Sequence, residues 1–385
     1  MDQWAISSSQ FFGYYPKYEY LDNILSVTGR KKLNLYVDVK GCATSLFQEW
    51  AVKHILEHSK DSITVDTSLF AGVLEFIQWH KLYAKKRQID INFYFFMESG
   101  KSTYHLEVYK DYKALRGVSD MFGLDLASRE LFHKILDRNY NVTDKVVNKL
   151  PNCNFIRLNF LEADFMPYYL MKHILPKENV DSAANIIYST DKDMLQCLDG
   201  TNIFQFYRHY KQVKMLAYKD IYTHFPKVEL EVNDPASWFP LVLSIIGDDS
   251  DGFKGVKGIG PNKLIEIFDD VKTLVGHSMN NVYDNIANKK PIFDQNYKVA
   301  NNGLKLVLRD HDIIVRNLKL SSYKILSDVL EGGFPTDMIE KKKQIIENVS
   351  TTQVKCSNAS VLINALNKNG LMGIVKESVI SGLFE

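Results

Sequence analysis

The segment GDDSDGFKGVKGIGPNK, residues 247–263, carries the strongest indication of the fold. Two carboxylates, Asp248 and Asp251, precede a glycine-punctuated turn over 255–260, and the apolar spacing over 264–268 predicts a helix after it. Carboxylates suit a hard divalent cation, whereas glycines and helix N-terminal amides suit a phosphate. A glycine-rich turn alone is often only a turn. With the two carboxylates before it, the segment predicts a helix–hairpin–helix unit suited to phosphodiester chemistry.

Composition sets broad limits on the chain. Its 385 residues are 45% hydrophobic, which is enough for one large domain or two smaller ones. No apolar run reaches the roughly 18 residues of a membrane span, and residues 1–20 lack a secretory pattern. We therefore expect a cytoplasmic protein with no membrane contact, or one in the host cytoplasm if the chain is viral. The net charge of +1 gives no general basic excess, so nucleic-acid binding would need locally gathered cations.

Short apolar runs predict five buried strands, over 33–37, 91–97, 154–158, 185–188 and 203–206. Helical patterns separate several of them, which favours an α/β fold with a mostly parallel sheet. In such sheets, ligands gather outside the carboxyl ends of the strands. The strand ends are therefore the place to look for a site.

Acidic residues follow four of these strands. One acid after a strand is most often a helix N-cap, but four clusters at one sheet edge would repel strongly without a cation. With the two acids of the 247–263 segment, there are eight candidate metal ligands: Asp38, Glu98, Glu162, Asp164, Asp191, Asp193, Asp248 and Asp251.

The motifs around these acids resemble, in order and spacing, those of the structure-specific 5′-nucleases, the flap endonuclease and 5′-3′ exonuclease family, and most of all its phage members. The segment GDDSDGFKGVKGIG is similar to the family's GDxSDNIPGVxGIG. LEADF resembles its EADD, and STDKDMLQ resembles its S-x-D-x-D-x-x-Q element. ESGKS, with the later YKALR, resembles its strand-end acid, GKS stretch and YKxxR segment. The resemblance covers roughly residues 33–268.

This resemblance implies a fold and a division of the chain. The fold class would be α/β, with a mostly parallel, PIN-like nuclease core, a helical arch region and a helix-three-turn-helix element that binds DNA. We expect an N-terminal extension over 1–31 and the nuclease core over 32–235. The helix-three-turn-helix and a C-terminal helical region would occupy 236–385.

The resemblance also implies a function: a metal-dependent 5′-nuclease, acting as 5′-3′ exonuclease and flap endonuclease on DNA near 5′ ends or branch points. Two Mg²⁺ ions, with Mn²⁺ as the alternative, would be shared between a first metal group (Asp38, Glu98, Glu162, Asp164) and a second (Asp191, Asp193, Asp248, Asp251). The partners would be branched, flap or 5′-ended duplex DNA, or an RNA·DNA hybrid, bound by a monomer.

The remaining site residues implied by the resemblance are cations and turn residues. Lys113 and Arg116 would contact the scissile phosphate from one face of a helix that begins over 112–116, and Lys101 is a further candidate for that role. The residues implied to bind DNA are Tyr112, Gly255, Lys257, Gly258, Gly260 and Lys263.

Three departures from the family pattern keep alternatives open. Glu98 stands where Asp is usual, His105 where phage enzymes tend to have Arg, and Phe165 where EADD has its second Asp. The loss of that Asp would remove a metal ligand or a water-holding group. One alternative is therefore a non-catalytic branched-DNA-binding protein. A second alternative, which the resemblance to phage members implies, is a ribonuclease acting on RNA·DNA hybrids.

Overall fold

The computed structural model describes residue 12 and residues 16–43, 68–114, 126–209, 212–294, 297, 301–333, 337–349, 355–356, 358–368 and 377–384. The helical spacing of apolar residues over 44–58 predicts a helix there, but this segment lies outside the described residues, as does Arg116. The fold is mixed α/β, as the strand pattern predicted. None of the described helices combines the length and apolarity needed to cross a membrane.

A six-stranded sheet forms the centre of the fold, in the order β3-β2-β1-β4-β5-β6. Its first five strands run parallel and correspond to the five predicted ones, whereas β6 pairs antiparallel with β5 and was not predicted. The strands are β1 (Lys32–Asp38), β2 (Asp90–Ser99), β3 (Cys153–Asn159), β4 (Ala184–Tyr188), β5 (Ile203–His209) and β6 (Gln212–Leu216).

Both faces of the sheet are covered, which explains why its strands read as nearly continuous apolar runs. Along β1, Leu35 and Val37 pack into a hydrophobic cluster on one face, while Tyr36 between them packs into a second cluster. This alternation follows from the two-residue period of a strand. The carboxyl ends of β1 to β4 are therefore the open rim of a sheet buried on both faces.

Helices cover the sheet and extend beyond it. On the N-terminal side of β5 they are α1 (Tyr18–Thr28), α2 (Val39–Cys42), α3 (Ser68–Arg87), α4 (Thr103–Val108), α5 (Leu126–Val147), α6 (Met166–Tyr169) and α7 (Lys177–Asp181), with a π-helix over Leu170–Ile174 and a 3₁₀-helix over Lys192–Cys197. A 3₁₀-helix over Tyr218–Asp220 leads into α8 (Ile221–His224).

The predicted helix–hairpin–helix unit is confirmed. Helix α9 (Pro235–Ile246) leads into a two-residue ladder of β7 (Gly247–Asp248) and β8 (Phe253–Lys254), and α10 (Pro261–Leu274) follows. The later helices are α11 (Met279–Ala287), α12 (Asn302–Arg309), α13 (His311–Ser321), α14 (Tyr323–Gly332), α15 (Asp337–Val349), α16 (Ala359–Lys368) and α17 (Glu377–Gly382).

The described part of the predicted N-terminal extension packs into the core. In α1, Leu21 and Ile24 are buried in the same cluster as Leu35. Asp22 accepts hydrogen bonds from the Tyr83 hydroxyl and from the Arg87 guanidinium, both on α3. Ile380 of α17 joins this cluster as well. The domain boundaries at 31 and 235 stay predictions, but α1 contributes directly to the core beside the sheet.

Removal of the Leu21 side chain tests this contribution. We expect Leu21→Ala to lower the free energy of unfolding by about 2–5 kcal/mol, because the site is fully buried. Val27→Ala is the matched control on the same helix: Val27 is 80% exposed, so the change should stay within about 0.5 kcal/mol. Urea unfolding measures both. Equal, small losses would mean that α1 is a dispensable extension.

Candidate metal centre

Asp38 shows how the strand ends present carboxylates. It is the last residue of β1 and caps α2, with its Oδ1 accepting a hydrogen bond from Gly41 N at 2.9 Å. Its Oδ2 accepts from Ser189 Oγ at 2.8 Å. A Cβ at Gly41 would lie 2.3 Å from Asp38 Oδ2, so a side chain there would displace this carboxylate. Asp38 is thus both a helix cap and a lining residue of the open rim.

Asp191 repeats this arrangement after β4. Its Oδ1 accepts from Asp193 N at 2.9 Å and caps the 3₁₀-helix Lys192–Cys197. Gln205 Nε2, on β5, donates to the carbonyl oxygens of Ser189 and Asp191 at 3.1 and 2.7 Å, which fixes the turn between them. Helix capping is the ordinary role of an acid after a strand. In this protein, the same capping geometry also directs the Asp38 and Asp191 carboxylates toward the rim of the sheet.

Five predicted ligands line one cavity of about 460 Å³ at the carboxyl ends of β1 to β4. They are Asp38, Glu98, Glu162, Asp164 and Asp191. Three lysines share the lining: Lys40, Lys113 and Lys192. The cavity therefore gathers the whole first metal group and one member of the second.

The other three predicted ligands, Asp193, Asp248 and Asp251, form a compact buried triad. Each offers a carboxylate oxygen, and these oxygens lie within 4.8 Å of one another. Asp193 Oδ1 is buried and has no hydrogen-bond partner among the described residues. This oxygen has the Lys192 ammonium 3.6 Å away but no hydrogen bond, and a divalent cation held by several carboxylates would satisfy it. The residues present fit such an ion.

Lysine ammonium groups are paired with these carboxylates. Lys113 Nζ binds Glu162 and lies 3.6 Å from Asp251 Oδ2. Lys192 Nζ lies 2.6 Å from Asp248 Oδ2 and 3.6 Å from Asp193 Oδ1. Sequence reasoning did not single out Lys192, although its place between the two acids of STDKD was a signal. These pairs reduce the repulsion between the acids.

Burial shifts the pKa values of several acids upward. It raises the pKa of Asp38 to about 7, and it raises the pKa of Asp164 and Asp193 well above the ordinary range. Burial would also raise the pKa of Asp248, but the Lys192 ammonium more than offsets it, so the pKa of Asp248 is lowered. The folded protein without a cation therefore keeps protons on some of these carboxyl groups at neutral pH.

Tyr112 and Lys113 do not begin a helix, contrary to the prediction. Residues 111–114 form a turn rather than the start of a helix, and Lys113 has a φ of 53°. The turn is fixed by Lys113 N, which donates to Asp251 O at 3.0 Å. Tyr112 is only 4% exposed, and its hydroxyl lies 3.1 Å from Glu162 Oε2 and 2.9 Å from Asp251 Oδ2. Its hydroxyl therefore contacts two of the carboxylates, and its buried ring offers little surface to DNA.

The hairpin glycines have separate structural roles. A Cβ at Gly255 would lie 2.3 Å from Ile245 O, so this glycine allows the hairpin to close against α9. Gly258 has a φ of 89°, a left-handed conformation that favours glycine. Gly260 is the N-cap of α10, and a Cβ there would meet nothing within 4 Å. Only the last of the three leaves open space for a ligand.

The predicted lysines outside the cavity lie at the surface or near it. Lys101 and Lys257 are exposed, and Lys263 is half-buried and pairs with Glu266. Lys101 does not line the cavity of about 460 Å³. Its role at the scissile phosphate stays a prediction, as do the DNA contacts of Lys257 and Lys263.

The departures at 165 and 105 have structural explanations. Phe165 is 0% exposed, and its ring packs against Tyr169 with centroids 5.8 Å apart. It belongs to the core, and the loss of a metal ligand or water-holding group at this position stays a prediction. His105 is also buried, with Nδ1 2.7 Å from Ser102 Oγ and its ring stacked on Tyr112.

A carboxylate at position 165 should therefore harm the fold without improving metal binding. We expect Phe165→Asp to lower the free energy of unfolding by about 3 kcal/mol or more, because a buried ring is lost and a charge enters the core. Phe165→Leu, the apolar control, should cost about 1–2 kcal/mol. Mn²⁺ titration of the folded variants measures the metal affinity. Tighter Mn²⁺ binding in Phe165→Asp would contradict this account.

The raised pKa of Asp38 predicts that stability without metal depends on pH. Its folded pKa is about 7 against 3.8 as the ordinary value, so the folded state holds the proton more tightly between them. Without metal, stability should fall as pH rises from about 4 to about 7, and Mn²⁺ should stabilise more at about pH 8 than at about pH 5.

Thermal unfolding in EDTA and in Mn²⁺ measures this dependence. Asp38→Asn should make it shallower, since Asp164 and Asp193 keep their raised pKa values, whereas Asp249→Asn, at an exposed acid beside the triad, should leave it unchanged. Equal pH profiles for Asp38→Asn and the unaltered protein would contradict the assignment.

Comparisons with known proteins bear on the fold. No family model matches the chain. A curated 5′-3′ exonuclease of Mycoplasma genitalium is 25% identical over 196 residues, which cover 50% of this chain and 53% of that protein. The chain thus spans about half the length of the curated relative that it matches.

Two solved structures share the architecture over most of the chain. A T5 protein co-crystallised with metal ions has a TM-score of 0.55 at 17% identity, and the match covers 83% of this chain and 100% of that one. The bacteriophage T5 flap endonuclease in a complex with DNA and metal ions has a TM-score of 0.53 at 18% identity, covering 82% and 98%. The chain therefore has the PIN-like fold of the structure-specific 5′-nucleases, the family that its ordered acidic motifs resemble.

Proposed function

We propose that this protein is a metal-dependent 5′-nuclease that hydrolyses phosphodiester bonds in DNA near 5′ ends or branch points. The observation that carries the proposal is the buried triad of Asp193, Asp248 and Asp251, in which Asp193 Oδ1 has no hydrogen-bond partner within the described part of the chain. The triad adjoins a cavity lined by five further carboxylates. Such a density of buried and half-buried acids suits cations better than any purely structural role.

Divalent ions are the implied cofactor, and Mg²⁺ fits the all-oxygen ligand set, with Mn²⁺ as the alternative. Asp193, Asp248 and Asp251 would hold one ion, and acids of the cavity, above all Asp38, Glu162 and Asp164, would hold the other. When bound, such a pair of ions supplies an activated water and stabilises the leaving oxygen of a phosphodiester.

Two lysines of the cavity would stabilise negative charge on the substrate phosphate. Lys113 and Lys192 now pair with the carboxylates, and both ammonium groups lie at the wall of the cavity. Cations in a partly buried cleft can stabilise the charge that develops on a phosphate. We assign this role to Lys113. Arg116 and Lys101 are predicted to contact the same phosphate.

The hairpin and α10 would hold duplex backbone. Helix α10 begins at Pro261, directly after the open surface at Gly260, so its N-terminal amides can face a phosphate. Lys257 is exposed on the turn before it. Contacts of this type give affinity and register without reading the bases.

DNA and an RNA·DNA hybrid are the two candidate substrates. The T5 structure with DNA and metal ions supports DNA as the partner, and an RNA·DNA hybrid is the alternative substrate. The monomeric state and the cytoplasmic location also stay predictions. The alternative of a non-catalytic DNA-binding protein rested on Phe165, and that residue lies in the core.

Two adjacent acids provide a sharp test of the metal centre. We expect Asp248→Asn to slow single-turnover cleavage of 5′-labelled flap DNA by roughly a hundredfold or more, because a ligand of the buried triad is lost. Asp249→Asn is the matched control, since Asp249 is exposed and pairs with Lys254. That variant should cut within about twofold of the unaltered protein.

The same assay separates the alternatives. Binding of flap DNA in EDTA should survive Asp248→Asn, because fewer carboxylates repel the phosphates less. Cleavage of an RNA·DNA hybrid alone would replace DNA as the substrate. Binding without any cleavage by the unaltered protein would favour the non-catalytic alternative, and full activity of Asp248→Asn would refute the metal centre.

A further inference from the structure

Phe160 is an exposed aromatic residue at the rim of the cleft. It follows β3 directly and is 56% exposed, although most aromatic side chains of the described residues are buried. Glu162, which lines the cavity, lies two residues further along the chain. Two residues span at most about 7 Å, so the backbone of Phe160 lies near that of Glu162. A single exposed apolar residue is common, so exposure by itself does not indicate a binding site.

The backbone at Phe160 is in a conformation that its side chain does not favour. Its φ is 57°, in the left-handed region where a bulky residue is an outlier and glycine fits without strain. Two backbone hydrogen bonds hold it there: Phe160 N donates to Ser99 O at 2.8 Å, and Thr103 N donates to Phe160 O at 3.0 Å. Strain of this kind persists where the surroundings impose it, often at ligand-binding sites.

The neighbouring loop is shaped around the ring. Gly100 also has a positive φ, and a Cβ there would lie 2.8 Å from Cδ1 and Cε1 of Phe160. The ring therefore rests against bare backbone on that side and remains open to solvent elsewhere. Its position is defined by contact with Gly100 and does not depend on a mobile side chain.

An exposed lysine, Lys101, directly follows the Gly100 that the ring contacts. Lys341 of α15 does not add a second one, because it is buried and its Nζ lies 2.6 Å from Asp337 Oδ2 and 3.3 Å from Thr103 Oγ1. An exposed aromatic ring with an exposed lysine nearby in the chain is typical of single-strand nucleic-acid platforms, in which the ring stacks on a base and the lysine meets a phosphate.

We infer that Phe160 is a stacking site for one unpaired nucleobase of the bound strand, at the rim formed by the carboxyl ends of β2 and β3. The inference rests on the proposed function and adds to it a subsite that accepts any base, because every base offers a ring face. A phosphate of the same strand would lie near Lys101. The strained backbone keeps the ring at the rim instead of in the core.

A mutant cycle between the protein and the strand tests this inference. The probe is a 5′-flap DNA in EDTA, carrying a single abasic nucleotide at each position next to the cleavage site in turn. We expect Phe160→Gly to bind the intact flap roughly tenfold more weakly. At one position, the abasic nucleotide should weaken binding by the unaltered protein to the same extent and leave binding by Phe160→Gly unchanged. Phe160→Trp should restore tight binding.

The stability of the variants excludes a merely structural role. Phe160→Gly should be at least as heat-stable as the unaltered protein, because glycine relieves the positive φ. Gln88→Gly is the matched control: Gln88 is exposed, has a φ of 53°, and lies next to the amino end of β2, opposite the cleft. It should gain similar stability without any change in binding.

The possible failures are distinguishable. If the unaltered protein binds and cuts flaps but no abasic position couples to Phe160, the stacking site is refuted and the nuclease proposal stands. If Phe160→Gly loses stability and binds all probes equally weakly, the ring is structural and the inference is likewise refuted. If the unaltered protein binds no branched or single-stranded DNA, both proposals fail together.

Discussion

The structure depends on the crowding of carboxylates at one edge of a buried parallel sheet. Two like charges about 4 Å apart repel by about 4 kcal/mol at the effective dielectric typical near a protein surface. A helix cap contributes only about 1 kcal/mol, so capping by Asp38 or Asp191 cannot by itself account for such a cluster. The protein relieves this repulsion in two ways: lysines pair with some acids, and burial keeps protons on others.

Topology creates this crowding. Because β1 to β4 run parallel, their carboxyl ends meet at one rim, and short helices that begin there turn the capping acids inward. The hairpin after α9 brings Asp248 and Asp251 to the same rim from a distant part of the chain. Its closure requires bare backbone at Gly255. One glycine in the hairpin therefore helps to set the position of two acids several residues before it.

The strands and the acids at their ends could be predicted from sequence, because apolar runs and strand polarity are local signals. The helix–hairpin–helix unit was predictable for the same reason. The turn at Lys113 was not, because it is imposed by a hydrogen bond to Asp251 O, far away in sequence. Nor could the burial of Phe165 or the packing of Leu21 be predicted, since both depend on which distant residues meet them. Local patterns thus indicated the rim, whereas long-range contacts decided which side chains face it.

The pairing of Lys113 and Lys192 with the acids has a consequence for the order of events. A cation that enters the centre competes with these ammonium groups for the same oxygens. Once displaced, each ammonium carries a charge without its former counterion, next to the place where a phosphate would lie. Metal and polyanion would then bind cooperatively, because each relieves an electrostatic imbalance that the other creates. The lysines act in this sense as internal counterions, which the protein exchanges for external ones when the nucleic acid arrives.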